Sequence, residues 1–246
     1  MGTERIFNTT IQIIEDYIDT SKKYAHLDIG PGHGALVSKL KAKHSCILSR
    51  CCDYTDELLE VPDIKVDVVD LNNNSTLPYE NDAFDIITAT EVIEHLEDFR
   101  AVLREAHRVL KPGGLLVIST PNILNIKSRL RNLWFGFAEL MGPLPVHNRA
   151  LESTAGHINP VSIFYVMHTL AESRYKNIKF TIDKFQRSGF GPLILLWLPI
   201  KLFGALVWYK EAYKYKTIDK DNKSFVKIMN SIQILLGRTI IVFAIK

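Results

Sequence analysis

This chain of 246 residues has few cysteines, a small net charge and no internal repeat. Its three cysteines, at positions 46, 51 and 52, form no CxxC pair and no even set, which argues against a zinc ribbon or a disulfide scaffold. A net charge of +3 is too small to indicate nucleic-acid binding by itself. No repeat or low-complexity linker divides the chain, so we expect one domain over residues 1–246.

An apolar leader is also missing from the first ten residues, MGTERIFNTT, where a secretory signal needs an apolar run. We therefore expect a cytoplasmic protein. In that reducing compartment the three cysteines are expected to be reduced thiols buried in a strand.

Apolar runs alternate with segments of helical periodicity along most of the chain. Strands are predicted at 24–29, 46–52, 66–69, 84–89, 115–119, 178–182 and 239–245. Helices are predicted at 6–18, 34–43, 56–59 and 99–110, and a further one begins near Pro160. This alternation predicts an α/β fold with a mostly parallel sheet, whose ligands bind beyond the carboxyl ends of the strands.

The first of these strands runs into the glycine turn LDIGPGHG, with glycines at 30, 32 and 34. Such a turn lets the backbone approach a nucleotide-like ligand closely. The third glycine comes one residue too early for the dinucleotide fingerprint, and the carboxylate of Asp28 repels a pyrophosphate. Asp53, at the end of the next strand, is placed to hold ribose hydroxyls. The pattern therefore favours a nucleoside with an ammonium or sulfonium group over NAD.

Four motifs in order resemble the class I S-adenosylmethionine-dependent methyltransferases, particularly the branch related to ubiquinone-biosynthesis O-methyltransferases. LDIGPGHG resembles the first motif, and CCDYTDELLE resembles the second, with Asp53 as the ribose-binding acid. In the following stretch, VDVVDLNNNSTLPYENDAFDIITATEVIEHLED, the resemblance implies that Asp70 and the amide of Leu71 hold adenine. HRVLKPGGLLVISTPN resembles the late motif. The resemblance implies a Rossmann-like seven-stranded sheet with helices on both faces and the last strand antiparallel, beside the sixth.

The string EVIEH, just past the fourth predicted strand, carries the candidate chemistry. On a helical turn Glu91, Glu94 and His95 share one face and form a possible site for a hard divalent cation such as Mg²⁺. The string resembles the metal site of small-RNA 3′-end 2′-O-methyltransferases and of ubiquinone-pathway O-methyltransferases. There a later histidine completes the site, and His157 is the first candidate here, with His147 in reserve.

The same residues can also act without a metal. Glu91 then faces the cofactor together with Asp28, Gly30, Gly32 and Gly34, and His95 or His157 acts as a general base.

The function expected is O-methylation of a small molecule, a sugar or a lipid-linked acceptor. The alternatives are RNA 2′-O-methylation, which the weak charge disfavours, and a non-catalytic scaffold that only binds S-adenosylmethionine.

Two insertions depart from a minimal domain of this kind. Residues 123–160 follow the carboxyl end of a strand, so they must overhang the ligand cleft and are expected to cover the substrate. In this cover Lys127, Arg129 and Arg131 either grip an anionic group of the substrate or form a solvated basic face.

The second insertion, 190–236, begins with the apolar run 190–209. Since its flanking strands pair in one sheet, a single membrane crossing is excluded, and Pro192 and Pro199 are expected to break the helix into short pieces. What remains is peripheral membrane contact on the cytoplasmic face, contact with a second copy, or an internal lid. Aromatic and basic side chains suit a membrane surface, namely Trp197, Trp208, Tyr209, Lys201, Lys210, Lys214 and Lys216.

Overall fold

The computed structural model describes residues 2–144, 146 and 156–246. Its strands are β1 (Tyr24–Ile29), β2 (Ile47–Asp53), β3 (Val66–Val68), β4 (Phe84–Thr90), β5 (Leu110–Pro121), β6 (Lys176–Ile182) and β7 (Thr239–Ile245). They form one sheet in the order β3-β2-β1-β4-β5-β7-β6, and β7 runs antiparallel between β5 and β6. The other pairings are parallel. The predicted seven-stranded, mostly parallel Rossmann-like sheet is therefore confirmed.

Helices cover both faces of this sheet, as predicted. They are α1 (Gly2–Glu15), α2 (Ala35–Lys43), α3 (Phe99–Val109), α4 (Ile126–Phe135), α5 (Ile163–Glu172), α6 (Phe190–Tyr209), α7 (Lys223–Ile228) and α8 (Ile232–Leu236). Short 3₁₀ turns occupy Ile93–His95 and Arg187–Gly189, and a π-helical turn, Lys210–Tyr215, continues α6. One core layer lies under α1 and α2, and the other lies under α3 and α5.

The central strands are buried on both sides, which explains their continuous apolar runs. In β5 the residues Leu115, Leu116, Val117 and Ile118 are all at most 1 % exposed, so side chains of both parities enter a core. Cys51 and Cys52 are free and buried in β2, while Cys46 precedes that strand and is partly buried.

The predicted helix at 56–59 is wrong, because the chain forms only a turn there. The segment is short, and Pro62 disfavours helical geometry in the residue before it. Leu59 and Val61 instead pack against the backbone of Gly34, where an added Cβ would lie 2.6 and 2.5 Å from their side chains. The turn therefore supports the glycine loop.

The expectation that prolines break 190–209 into short pieces is also wrong, because α6 is continuous. Pro192 is the third residue of the helix, where the backbone N–H has no helical partner in any case. Pro199 lies in the helix interior and removes one backbone hydrogen bond. Together with its flanking turns, α6 forms the one helix among the described residues that is long and apolar enough to cross a membrane.

Both insertions leave the sheet at the same edge. The chain enters α4 from the carboxyl end of β5, and it enters α6 beyond the carboxyl end of β6, which runs parallel to β5. The insertion at 190–236 returns to β7, whose Ile240 pairs with Ile182 of β6. This edge is also where β1, β2 and β4 end, so α4 and α6 flank the expected ligand site.

Candidate active site

The turn after β1 has the backbone that its glycines allow. Gly30, Gly32 and Gly34 have φ angles of 66°, 52° and 79°, in the left-handed region that other residues rarely adopt. A Cβ on Gly30 would lie 2.5 Å from a methyl group of Val92, so this position also needs close packing. No heavy atom lies within 4 Å of a Cβ built on Gly32, which leaves open space beside the turn.

Asp28 lies beneath this turn and not on its open side, since it is only 1 % exposed. The Thr88 hydroxyl donates to Asp28 Oδ1 at 2.5 Å, and the Thr88 oxygen is 2.8 Å from Nε2 of the buried His26. Burial raises the pKa of Asp28 to about 7 and lowers the pKa of His26 to about 3. The neutral imidazole of His26 thus contacts Thr88, which donates to Asp28. Burial disfavours the charged form of Asp28 unless a cation lies nearby.

Asp53 is the last residue of β2, and Asp70 lies two residues beyond the end of β3. Asp53 is half-buried, and its Oδ2 accepts from the Gly32 amide at 3.4 Å, which ties the acid to the glycine turn. Burial also raises the pKa of Asp53. Asp70 is exposed and accepts from the amide of Asn72 at 3.0 Å, and Leu71 packs partly against the core. The two acids therefore lie at the carboxyl edge of the sheet, where the contacts with ribose and adenine were predicted.

Glu91 takes a strained backbone at the end of β4, with φ of 57°. Its amide donates to the backbone carbonyl of Ser119 at 3.1 Å, and its Oε1 accepts from the Ser119 hydroxyl at 3.1 Å. Burial raises the pKa of Glu91 to about 7. This carboxylate does not belong to the group that the other three predicted metal ligands form.

That group consists of Glu94, His95 and His157, each with one potential ligand atom within 4.8 Å of those of the other two. His95 Nδ1 is 3.1 Å from the Gly156 carbonyl, and His157 Nδ1 is 3.0 Å from the Leu140 carbonyl. A carbonyl only accepts, so both Nδ1 atoms donate and both Nε2 atoms are left as acceptors. The structure thus brings together the two histidines that were predicted to be catalytic.

Backbone hydrogen bonds explain how such distant residues meet. The Glu94 carbonyl accepts from the amides of Ile158 and Asn159, both at 3.0 Å. The Asn159 side chain donates to the Leu96 carbonyl at 3.1 Å. Sequence reasoning missed this role of Asn159, because nothing local marks it. It also missed Ser119, which the register of β4 and β5 identifies, since Thr90 pairs with Ser119.

Glu94 is a buried acid with one uncommitted oxygen. It is fully buried, its Oε2 accepts from the Thr120 hydroxyl at 3.0 Å, and its Oε1 has no hydrogen-bond partner among the described residues. Burial, reinforced by repulsion from Glu91, raises the pKa of Glu94 well above its usual value. A carboxylate with two imidazoles fits a divalent cation, and this donor set favours Mn²⁺ or Zn²⁺ over Mg²⁺.

The basic residues of the cover at 123–160 are engaged within the chain. Lys127 pairs with Glu139 at 2.5 Å, Arg129 donates to the Met229 carbonyl at 2.7 Å, and Arg131 donates to the Ala138 carbonyl. These contacts tie α4 to the segment 137–139 and to Met229. The two expected roles, an anion grip and a solvated basic face, stay predictions. The reserve histidine, His147, lies outside the described residues.

Comparison with known proteins shows the family to which the chain belongs. A family profile described as a methyltransferase domain matches residues 6–175, more than half of the chain. The chain belongs to this methyltransferase family. The predicted family and enzyme class, an S-adenosylmethionine-dependent methyltransferase, are therefore confirmed. Membership of this family supports S-adenosylmethionine as the methyl donor.

The methyltransferase has curated relatives that match only part of it. It is 30 % identical over 126 residues to a demethylmenaquinone methyltransferase of Corynebacterium efficiens. This alignment covers 47 % of the chain and 55 % of the relative. It is 33 % identical over 118 residues to a ubiquinone biosynthesis O-methyltransferase of Coxiella burnetii, covering 46 % and 49 %. The chain thus spans about half the length of the curated relatives it matches.

Solved structures share the fold of the methyltransferase over nearly its whole length. An S-adenosylmethionine-dependent methyltransferase from Archaeoglobus fulgidus aligns with a TM-score of 0.61 at 14 % identity, covering 99 % of this chain and 94 % of that one. Phosphoethanolamine N-methyltransferase 2 of Haemonchus contortus, in complex with S-adenosyl-L-methionine, aligns with a TM-score of 0.55 at 16 % identity, covering 97 % and 52 %. At such identities the likeness establishes the fold alone.

Proposed function

We propose that this methyltransferase transfers the methyl group of S-adenosylmethionine to a hydroxyl oxygen of a small acceptor. The observation that carries the proposal is the pairing of His95 with His157 in the segment that follows β4. Val92 of the same segment packs against Gly30 of the glycine turn. An oxygen acceptor must lose its proton during attack, so it needs a base at this place. The similarity to a ubiquinone biosynthesis O-methyltransferase supports the same acceptor atom.

The two imidazoles suit the role of base. Burial lowers the pKa of both histidines, and for His95 the neighbouring His157 lowers it further, so both rings are neutral near pH 7. The acceptor oxygen attacks the methyl carbon in line, and the carbon–sulfur bond breaks with its electrons moving to sulfur. The hydroxyl proton passes to a free Nε2. The products are the methyl ether, S-adenosylhomocysteine and a protonated imidazole.

A cation held by Glu94, His95 and His157 is a second candidate for this group. It is favoured by the buried, uncommitted Oε1 of Glu94. When bound, such a cation polarises a hydroxyl and lowers its pKa. In that case the two histidines and Glu94 would hold the cation, and the hydroxyl proton would pass to solvent and not to an imidazole.

The test is transfer from methyl-labelled S-adenosylmethionine to small molecules of a cell extract, with and without chelator. For the base mechanism we expect His95→Gln and His157→Gln to slow transfer by about 10²- to 10⁴-fold while leaving cofactor affinity unchanged. His168→Gln, on the exposed face of α5, is the matched control and should transfer normally. Loss of transfer in chelator, restored by Mn²⁺ or Zn²⁺, would establish the cation instead. Full activity of both histidine variants would overturn the proposal.

A further inference from the structure

The outer side of α6 is a large apolar surface that the described residues leave uncovered. Leu193 is buried, and Leu196 and Ile200 pack partly against the body of the protein. Most of the remaining apolar side chains of the helix are exposed. Seven aliphatic or phenylalanine side chains are between 56 and 80 % exposed, namely Ile194, Leu195, Leu198, Leu202, Phe203, Leu206 and Val207.

Helix α4 extends this surface from a distant part of the chain. Its Ile126 and Leu130 belong to the same core cluster as the inner side of α6, so the two helices pack together. At its end, Leu133 is 71 %, Trp134 is 76 % and Phe135 is 58 % exposed. We call the outward side chains of α4 and α6 together the apolar face. Contiguous exposed apolar surface of this kind marks an interaction site in most proteins.

The charge beside the apolar face indicates which kind of partner covers that face. Residues 190–216 contain four lysines and one glutamate, so this segment alone carries +3, as much as the whole chain. Lys201 lies 4.5 Å from the centre of the Trp197 ring, and Lys214 lies 5.4 Å from that of Tyr215. Basic groups beside tryptophan and tyrosine at the border of an apolar surface match the headgroup level of an anionic bilayer.

A second copy of the chain is a poorer occupant. A twofold contact places the same surface on both partners, so two faces of charge +3 would meet. An anionic bilayer attracts the same charge. A single crossing by α6 is also excluded, because β6 and β7, which flank it, pair in one sheet. The helix must therefore lie in the membrane surface and not pass through the bilayer.

We propose that the apolar face docks this protein on an anionic lipid bilayer, with α4 and α6 lying in the headgroup region. The anionic leaflet that faces the cytoplasm is the surface concerned. Since both helices leave the carboxyl edge of the sheet, docking brings the ligand edge to the membrane. On the basis of the proposed function, the acceptor is then a hydroxyl compound with a long apolar tail held in the bilayer.

Intrinsic fluorescence offers a direct test, because all three tryptophans of the chain, at 134, 197 and 208, lie in α4 and α6. Vesicles of phosphatidylcholine with phosphatidylglycerol should shift tryptophan emission to shorter wavelength, and brominated lipid chains should quench it. In flotation the full chain should rise with these vesicles and much less with pure phosphatidylcholine. The triple variant Leu195→Ser, Leu198→Ser, Leu202→Ser should bind at least about tenfold more weakly.

The matched control is Leu48→Ser with Val68→Ser, two side chains that are each 60 % exposed in strands at the other end of the sheet. This control should bind vesicles like the wild type. Equal binding by the triple variant, or no binding by the wild type, would overturn the proposal. A dimer in sedimentation that the triple variant abolishes, without vesicle binding, would assign the face to a second copy.

The same variants separate docking from the proposed chemistry. With isolated membranes and methyl-labelled S-adenosylmethionine, the wild type should label the organic-solvent extract. The triple variant should bind the cofactor normally yet label that extract at least about tenfold less. Vesicle binding without any methyl transfer would contradict the proposed function and leave docking intact. Transfer confined to water-soluble acceptors would contradict the tailed acceptor.

Discussion

The rings of His95 and His157 meet edge to face, with their centres 4.9 Å apart. His95 Nδ1 donates to the carbonyl of Gly156, the residue before His157, whereas His157 Nδ1 donates to the Leu140 carbonyl. The amides of Ile158 and Asn159 donate to the Glu94 carbonyl, so the pair is built by the docking of 156–159 on 94–96. This relationship turns two isolated histidines of the sequence into a candidate base beyond the carboxyl end of β4.

Removing one histidine should change the titration of the other. In chelator-treated His157→Gln we expect the pKa of His95 to rise toward its usual value, because the repulsion from His157 is lost while burial remains. NMR titration of the ring carbons measures this directly. An unchanged or lower pKa for His95 would mean that the two rings do not interact in solution.

The ribose contact should depend on Asp53. Asp53→Ala removes charge-assisted hydrogen bonds of about 1.5–3 kcal/mol, so S-adenosylmethionine should bind about 10- to 100-fold more weakly. Calorimetry measures the affinity. Asp16→Ala is the control, since that side chain is exposed and lies just beyond α1, outside the turn. Equal affinity in Asp53→Ala and the wild type would remove Asp53 from the cofactor site.

The buried acid Asp28 should make the cofactor-free protein sensitive to pH. Its folded pKa of about 7 lies above the unfolded value of 3.8, so the native state holds the extra proton and its contribution to stability is lost as pH rises. Between about pH 5 and pH 8 this loss amounts to about 3 kcal/mol. Asp28→Asn should therefore gain stability relative to the wild type over this range in urea unfolding. A constant difference would show that Asp28 is not buried as an acid.

Two glycines of the turn should respond differently to alanine. Gly34→Ala meets Leu59 and Val61 at under 3 Å and forces a left-handed alanine, so it should lose about 2–3 kcal/mol of unfolding free energy. Gly32→Ala meets no atom and should lose only about 1 kcal/mol. Urea unfolding of both variants checks the order. The reverse order would mean that the turn packs otherwise.

Much of the fold follows from local pattern. The buried strands are continuous apolar runs, and the glycine turn at 30–34 needs backbone angles that only glycine adopts readily. The helix expected at 56–59 failed because Leu59 packs against Gly34, which is a tertiary effect. The continuity of α6 through Pro199 was missed because proline costs a helix one hydrogen bond without always ending it.

The site was harder to predict because its supports come from distant residues. Glu91 and Glu94 look equivalent in EVIEH, yet Ser119 holds the first carboxylate and Thr120 the second. The side chain of Arg129 is committed to Met229 and Asn230, which no local pattern reveals. Periodicity identifies which edge of the sheet carries the site, whereas the partners of each side chain depend on packing between elements.

The atom that receives the methyl group is the most direct test of the proposed O-methylation. Methyl-labelled S-adenosylmethionine is incubated with the protein and a cell extract, and the small-molecule, lipid and RNA fractions are examined by mass spectrometry. We expect a labelled methyl ether on a small or lipid-linked acceptor, formed by the wild type and almost absent with His157→Gln. Label on RNA ribose, label on nitrogen or carbon, or cofactor binding without transfer to any fraction would contradict it.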